Sequence, residues 1–349
     1  MFKPVQFPEP VESMVRFVEE TDPSEIIEAT LEKLRGGTPV IDLLRAAGLA
    51  VVRSTDLPPN HHGGPVHPVS GIFGTYNIYR RLEGESAYIP VVQHVTLCNN
   101  HVHSAQMGPY IMPEMEALQS HGEKIGSYHM GEFSELGFRS TARDGDATAL
   151  TEEAFHRSLE ARSPSIAQQY YLWLLENVSH GQAIDILLPS SISRNAMDDH
   201  YFVYPVFTFR TLDLVGWEWA PYFLRPVVRF LARHPYSIDV ERPMPFSAME
   251  EMVDKYGLDD RKLPVPTSSR ETEMIGSLAD QIGRANNYYD TPEMIAQALA
   301  DGMSLEGAGE ALAIGGSKAF LRTIYGNPMD AHIHTGSTTR RYLLGHEAV

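Results

Sequence analysis

The sequence predicts a mainly α protein, with a compact multi-helix fold and His-rich loops between helices. Apolar residues recur at helical spacing over most of the chain, and cap residues precede several of these stretches. Alternating apolar patterns, which are typical of strands, are confined to 87–95 and 202–209. Hydrophobic residues make up 43% and charged residues 21% of the 349 residues, as in a globular protein. No linker-like segment divides the chain, so we expect one helical domain over 1–349 with a His-rich loop region at 54–148.

Two helices are predicted in the first half of the chain. Apolar residues within 26–34 form a short amphipathic helix, which Gly36 and the glycine after it close. The stretch 164–180 carries apolar residues at helical spacing and has a proline early, where a helix tolerates it. Segments rich in Gly, Pro and His are expected to be loops at 54–70 and 120–148.

More helices are predicted in the second half. The stretch 199–233 is rich in aromatic and apolar residues and is interrupted by prolines, which indicates two or three short buried helices. In its last part three arginines lie at i, i+4 and i+8, on a different face from the apolar residues: Arg225, Arg229 and Arg233. Caps and apolar spacing predict further helices at 270–287, after Thr291, at 307–321 and at 337–344.

Charge and cysteine content narrow the classes of function. The formal net charge is −17 and no basic face is evident, so a nucleic-acid partner is not expected. Neither a membrane-spanning run nor a signal-peptide pattern occurs, so we expect a cytoplasmic protein without a membrane partner. Cys98 is the only cysteine, which excludes an internal disulfide and leaves nitrogen and oxygen ligands for any metal. A small-molecule substrate is the expected partner, and a homo-oligomer is compatible with the sequence.

Histidines are concentrated in one part of the chain. Eight of the fifteen lie between His61 and His129, and imidazole is the commonest metal ligand. In the segment HHGGPVH, the Gly-Gly-Pro turn allows His62 and His67 to converge, and His67 is the stronger metal-ligand candidate because an apolar helix follows it. A solvated polar loop is the alternative. In CNNHVHS, His101 and His103 would share a face only on an extended backbone, where they could supply two ligands. A hydrogen-bonded loop is the alternative there.

The C-terminal region combines small residues with ionisable ones. Several glycines within 302–319 indicate either close helix packing or a ligand against the backbone, since glycine destabilises a helix interior. Glu310 lies one turn after another glutamate, and Lys318 lies among apolar residues, where an ammonium must be paired, shifted in pKa or modified. A surface lysine is the alternative. His332 and His334 follow at a ligand-like spacing.

A His-Pro start to an apolar helix, together with a late small-residue helix bearing a lysine near further histidines, resembles the questin-oxidase-like family. The family comprises helical oxygenases of aromatic polyketides, some of which bind non-heme iron through histidines and a carboxylated lysine. Carried over, the resemblance implies that His67, His332 or His334, and Lys318 are iron ligands. It covers about a third of the chain, and the HHGGPVH loop and 104–190 depart from the family pattern.

These patterns lead to one leading hypothesis and several alternatives. The leading one is a metal-dependent oxidoreductase, a non-heme oxygenase in which histidines hold Fe(II) and Glu310 or Lys318 adds an oxygen ligand. His200 is the expected general base and Glu310 a second catalytic group, beside a hydrophobic or aromatic substrate. The alternatives are a zinc hydrolase or hydratase, a non-enzymatic metal- or ligand-binding protein, and histidines used only for hydrogen bonds.

Overall fold

A computed structural model confirms the mainly α fold class. It describes residues 3–56, 64–107, 110–120, 146–193, 199–233, 246–259, 262–264, 268, 271–287, 290–322 and 328–345. Across these residues we find fifteen α-helices and two short 3-10 helices, and the β structure is limited to one isolated bridge between Pro4 and Pro113.

The helices are numbered here in chain order. The first eight are α1 Val11–Glu20, α2 Ile26–Arg35, α3 Val40–Ser54, α4 Val66–Tyr79, α5 Tyr88–Val102, α6 Ala147–Glu160, α7 Pro164–Asn177 and α8 His180–Ser193. The remaining seven are α9 His200–Val215, α10 Ala220–Arg233, α11 Phe246–Tyr256, α12 Thr272–Arg284, α13 Thr291–Ala300, α14 Leu305–Leu321 and α15 Pro328–Gly345.

Contacts group the chain into two compact units. Unit 1 comprises Met1–Ser190 and Phe207–Tyr236, and unit 2 comprises Ser191–Val206 and Ser237–Val349. The expectation of one domain over 1–349 remains a prediction.

Helix α3 lies at the centre of unit 1 and packs against α1, α4, α5 and α10. Its residues from Leu43 to Val52 are apolar on nearly every face apart from Arg45, so the helix is buried on most sides. Gly48 allows close packing here, because a Cβ at this position would lie 2.7 Å from Ile72 Cδ1 and 2.8 Å from Phe223 Cε1. The absence of a side chain at Gly48 therefore brings α4 and α10 against α3.

A buried ionic network holds the N-terminal segment of unit 1 against α3. Arg53 donates to Glu12 Oε2 at 2.7 Å and to Glu19 Oε1 at 2.9 Å, and Glu12 also accepts from the backbone N–H of Phe7 at 2.9 Å. Arg53 is 7% exposed and Glu12 8% exposed. Buried charges of this kind are stable only when paired and hydrogen-bonded, and here they are.

Unit 2 is organised around the pair α12 and α14. Glycine permits their close approach, since a Cβ on Gly315 would lie 2.7 Å from Ile282 Cβ and 3.0 Å from the carbonyl oxygen of Ala279. Gly283 makes a similar contact from the other helix. For Gly315 the structure answers the question left open by the sequence: it serves close helix packing. The core of the unit comprises Leu258, Ile275, Leu278, Ala279, Ile282, Ala296, Leu299, Met303, Ala308 and Ala311.

A buried carboxylate fixes the start of α14. Ser304 is the N-cap and accepts from the N–H of Gly307 at 2.9 Å, while Glu271 accepts from Ser304 N at 2.7 Å and from Ser304 Oγ at 2.8 Å. The N–H of Ser268 adds another bond to Glu271 at 3.2 Å. Burial alone would raise the pKa of Glu271, but the hydrogen bonds outweigh it and hold the pKa below its usual value.

Several local expectations were wrong. The two strand candidates are helical: 88–95 lies in α5, and 202–209 lies in α9. Helices α9 and α10 confirm the buried helices predicted over 199–233. In α9 nearly every residue from Tyr201 to Leu212 is buried. The alternation of residue types there does not correspond to one buried and one exposed face, as it would in a strand. Helices α4 and α5 lie within the region 54–148 that was expected to be a His-rich loop region, and α4 is the apolar helix expected after His67.

None of the helices in the described ranges combines enough length with enough apolar character to cross a membrane.

Candidate functional site

The N-terminal candidate His67 lies in the first turn of α4, in unit 1, and its side chain is exposed. The preceding residue Val66 is buried, as are Pro68 and Val69, so the helix is anchored by its apolar residues as expected. His61 and His62, the other members of the HHGGPVH segment, lie outside the described residues. The metal-ligand role of His67 stays a prediction.

The expectation of an extended backbone at His101 and His103 was wrong. His101 lies in the last turn of α5 and His103 is its C-cap, so their directions diverge by about 200°. The Nδ1 atom of His101 donates to the carbonyl oxygen of Leu97 at 2.8 Å, and that of His103 donates to Asn99 at 3.0 Å. A carbonyl only accepts, so each ring carries its proton on Nδ1 and has Nε2 as its available ligand atom.

A buried histidine that the sequence did not single out lies on the same helix. His94 is 5% exposed, and its Nδ1 lies 3.3 Å from Thr75 Oγ1 on α4. Gly71 makes room for the ring, since a Cβ there would lie 3.1 Å from His94 Cε1. Its Nε2 meets no hydrogen-bond partner within the described ranges. Burial lowers the pKa of His94 to about 4, with a smaller effect from His101, so the ring is neutral at pH 7.

Cys98 follows His94 by one helical turn and is also buried. Burial raises the pKa of its thiol well above the usual range, so it stays protonated. His94 and Cys98 therefore belong to the packed interface of α5, where each behaves as a neutral core group.

In unit 2 the structure brings two of the predicted histidines together. His200 begins α9 and is 5% exposed, while His332 lies on α15 and is half-buried. Their ring centroids are 5.0 Å apart, with the planes tilted by 59°. The two residues are far apart in the chain and come from different helices, so the contact is a product of the fold.

Asp199, the second of two adjacent aspartates, is buried beside this pair. It is 7% exposed and has a φ of +59°, a left-handed conformation that Asp tolerates better than most residues. Its Oδ2 accepts from Arg340 Nη1 at 3.3 Å. A Cβ on Gly336 would lie 2.2 Å from the same oxygen, so this glycine allows the carboxylate to lie against α15.

His334 does not share the direction of His332. Both lie within α15 rather than on an extended segment after a turn, so residues two apart diverge by about 200°. The ring of His334 meets the ring of Phe320 edge to face at 5.2 Å, and its Nδ1 lies 3.5 Å from Ser317 Oγ. His334 thus faces α14, whereas His332 faces the start of α9. The predicted ligand spacing of the pair was wrong, because it assumed a non-helical backbone.

Lys318 and Glu310 lie on α14 in different surroundings. The Lys318 ammonium donates to Asp280 Oδ1 at 2.6 Å, and both side chains are about half exposed, at 46% and 50%. This is the surface lysine that the sequence left as an alternative, paired across α12 and α14. Glu310 is half-buried. The roles of Lys318 as an iron ligand and of Glu310 in catalysis stay predictions.

Two further observations bear on ligand binding. Over the described ranges, no three His, Cys, Asp or Glu side chains come together in a way that could hold a metal ion. In unit 1 a wide surface cleft of about 720 Å³ contains none of the candidate histidines; its lining residues are Arg35, Tyr79, Arg80, Leu82, Gly84, Glu85, Ala87 and Tyr88. Of the predicted site residues, His200 and His332 are two whose rings the fold brings into contact, with Asp199 beside them.

The chain was compared with protein-family models, with curated proteins and with solved structures, and no significant match was found in any of the three.

Proposed function

We propose that the protein is a metal-dependent oxidoreductase, an oxygenase of small hydrophobic or aromatic molecules, in which His200 and His332 are two of the metal ligands. The observation that carries the proposal is the 5.0 Å approach of the two rings, one of which is almost fully buried. The resemblance to questin-oxidase-like proteins favours the same chemistry. Two imidazoles and one carboxylate are the typical ligands of Fe(II) in non-heme oxygenases.

The third ligand in this proposal is Asp199. It adjoins His200 in sequence and its carboxylate lies against α15, the helix that carries His332. At present Arg340 holds this carboxylate, and the three groups do not converge on one point. Metal binding would therefore require Asp199 to leave the guanidinium of Arg340 and bind the metal ion instead. The metal, when bound, would activate dioxygen.

Residues around the pair would surround the substrate and transfer a proton. Tyr201 and Tyr204 follow His200 on α9 and are fully buried, which provides the apolar surroundings that a hydrophobic substrate requires. If no metal binds, His200 would retain the role of general base that the sequence assigned to it, with His332 as the neighbouring imidazole.

The test is the metal content of protein purified without an affinity tag. We expect iron in the wild type and its loss in His200→Ala and His332→Ala. His334→Ala is the matched control, because it lies on the same helix but faces Phe320, and we expect it to keep its metal. Circular dichroism verifies that each variant is folded. Retention of iron by both His200→Ala and His332→Ala would refute the proposed ligands.

The same measurements separate the alternatives. Iron together with oxygen consumption supports the oxygenase, and stoichiometric zinc without oxygen consumption supports a hydrolase or hydratase. Weak, exchangeable metal with no turnover supports a binding protein. A protein free of metal, even after anaerobic loading with Fe(II), would refute the metal-dependent proposal.

A further inference from the structure

Three arginines form a row on α10 in unit 1. The spacing of Arg225, Arg229 and Arg233 places one on each successive turn of the same face. Arg225 is 4% exposed and Arg229 is 5% exposed, whereas the side chain of Arg233 is 36% exposed. The row therefore runs from the interior of the unit to its surface.

The outer two arginines share one carboxylate. Arg233 donates to both oxygens of Asp56 at 3.0 Å each, in the two-pronged arrangement typical of arginine with a carboxylate. Arg229 forms an ion pair with the same aspartate, and its guanidinium lies 4.2 Å from the centre of the Tyr110 ring. Asp56 thus supplies one negative charge to two guanidinium groups.

Arg225 has no carboxylate partner within the described ranges. Its Nη1 donates to the carbonyl oxygen of Pro113 at 2.9 Å, and its Nε donates to Gln168 Oε1 at 3.3 Å. Its Nη2 is buried and has no hydrogen-bond partner there. Both groups that Arg225 contacts are neutral, so they satisfy hydrogen bonds without neutralising its charge. Burial lowers the pKa of Arg225, and the nearby Arg229 lowers it further against the opposing effect of Tyr110, as expected for a cation without a counter-charge.

Counted over the described residues, the cluster therefore carries three positive charges and one negative charge, with two of the guanidinium groups almost fully buried. An isolated buried charge is strongly unfavourable, and a protein retains one mainly where something else neutralises it. Guanidinium is also the group best suited to bind a carboxylate or phosphate, because its N–H groups match two oxygens at once.

We propose that Arg225 and Arg229, beside Tyr110, bind the oxyanion group of a small molecule, a phosphate or a carboxylate. The ligand oxygen takes the buried Nη2 of Arg225, and its charge offsets the excess of the cluster. Entry is from the side of Arg233 and Asp56, where the side chains are 36% and 26% exposed. The site does not depend on metal binding at His200, so the two proposals can fail independently.

The test is thermal unfolding of the full chain with added anions at constant ionic strength. Sodium phosphate and sodium acetate are compared with sodium chloride, which controls for general screening. We expect phosphate, acetate or both to raise the melting temperature saturably, by about 5 °C at a concentration a hundredfold above Kd. The anion with the larger effect identifies the source of the oxyanion.

Variants assign the effect to the cluster. Arg225→Gln should abolish the anion-dependent shift in melting temperature. Arg225→Lys should raise the Kd for the anion at least tenfold, because lysine keeps the charge but loses the two-pronged geometry. The matched control is Arg35→Gln, an exposed arginine of the same unit that pairs with Glu85, and it should leave the shift unchanged. The proposal is overturned if neither anion exceeds chloride in the wild type, or if a folded Arg225→Gln responds as the wild type does.

Discussion

Gly315→Ala should destabilise the protein, although alanine is the better helix former. The new methyl group would lie 2.7 Å from Ile282 Cβ, 2.8 Å from its Cγ2 and 3.0 Å from the carbonyl oxygen of Ala279. Ordinary carbon contacts are about 3.5 to 4.0 Å, so α12 and α14 would have to move apart. None of these three atoms lies at the flexible end of a long side chain, so the contact cannot be relieved by a rotamer change.

The magnitude follows from two opposing effects. Replacing glycine by alanine in a helix interior stabilises by about 1 kcal/mol, whereas overpacking a core costs about 1 to 3 kcal/mol. Because the neighbours of Gly315 are rigid, we expect an overpacking cost in the upper part of that range, and a net loss of about 1 to 2 kcal/mol in the free energy of unfolding. Gly276 offers the matched control on α12, because a Cβ there meets nothing within 4 Å. Gly276→Ala should therefore gain up to about 1 kcal/mol.

Urea denaturation followed by circular dichroism at 222 nm would measure both free energies of unfolding. We expect shifts of opposite sign, with a difference of about 2 to 3 kcal/mol between the variants. Equal stabilisation by both substitutions would contradict the close approach of α12 and α14. It would also reopen the possibility that the glycines of α14 make room for a ligand.

Three further predictions concern buried ionisable groups. Because the pKa of His94 is about 4 in the folded protein and about 6.5 when unfolded, stability should fall by roughly 3 kcal/mol as pH drops from 6.5 to 4, and His94→Leu should remove this slope in urea titrations. Glu271→Gln should cost about 1 to 3 kcal/mol at pH 7. The lowered pKa of Glu271 means that its contribution is present above about pH 4 and lost below it, so the gap from the wild type should narrow in acid. Arg53→Met should cost about 3 to 5 kcal/mol because it leaves two glutamates without their counter-charge. Arg16→Ala, which removes an exposed partner of Glu12, should change the midpoint little. A small effect of Arg53→Met would contradict the network.

Helices with strong local signals were predictable from the sequence. The helix expected over 26–34 is α2, and the glycine after Gly36 has a φ of +87°, the conformation that ends a helix. The helix expected at 307–321 is α14, and its Ser304 cap is present as a hydrogen bond. In both places the helix end is determined by the chemistry of a few adjacent residues, so it depends little on how the rest of the chain packs.

Helices buried on several sides gave an ambiguous signal, since buried helices were predicted over 199–233 while 202–209 within it also fitted a strand. In α9 nearly all positions from Tyr201 to Leu212 are buried, so polarity did not vary with helical period and the residue types resembled a strand. Segment α5 does carry a helical period, with Val91, Val95 and Cys98 buried on one side, but its β-branched residues favoured the strand interpretation.

The candidate site illustrates the same limit. Sequence reasoning selected His200 and His332 by residue type, but their contact depends on how α9 and α15 meet, which no local pattern encodes. Asp199 was missed because adjacent aspartates usually indicate a loop, while its burial arises from a glycine more than a hundred residues later. His94 had a detectable signal, since a histidine in step with buried apolar residues is typical of a core position.

The opposite directions of His332 and His334 make α15 a helix whose axial rotation can be observed. A turn of a few tens of degrees about the axis would carry one imidazole away from His200 and the other away from Phe320 at the same time. Both rings lie near aromatic neighbours whose ring currents affect their proton frequencies. Any ligand that rotates this helix should therefore shift both imidazole C–H signals together in an NMR titration, giving two linked reporters of a single motion.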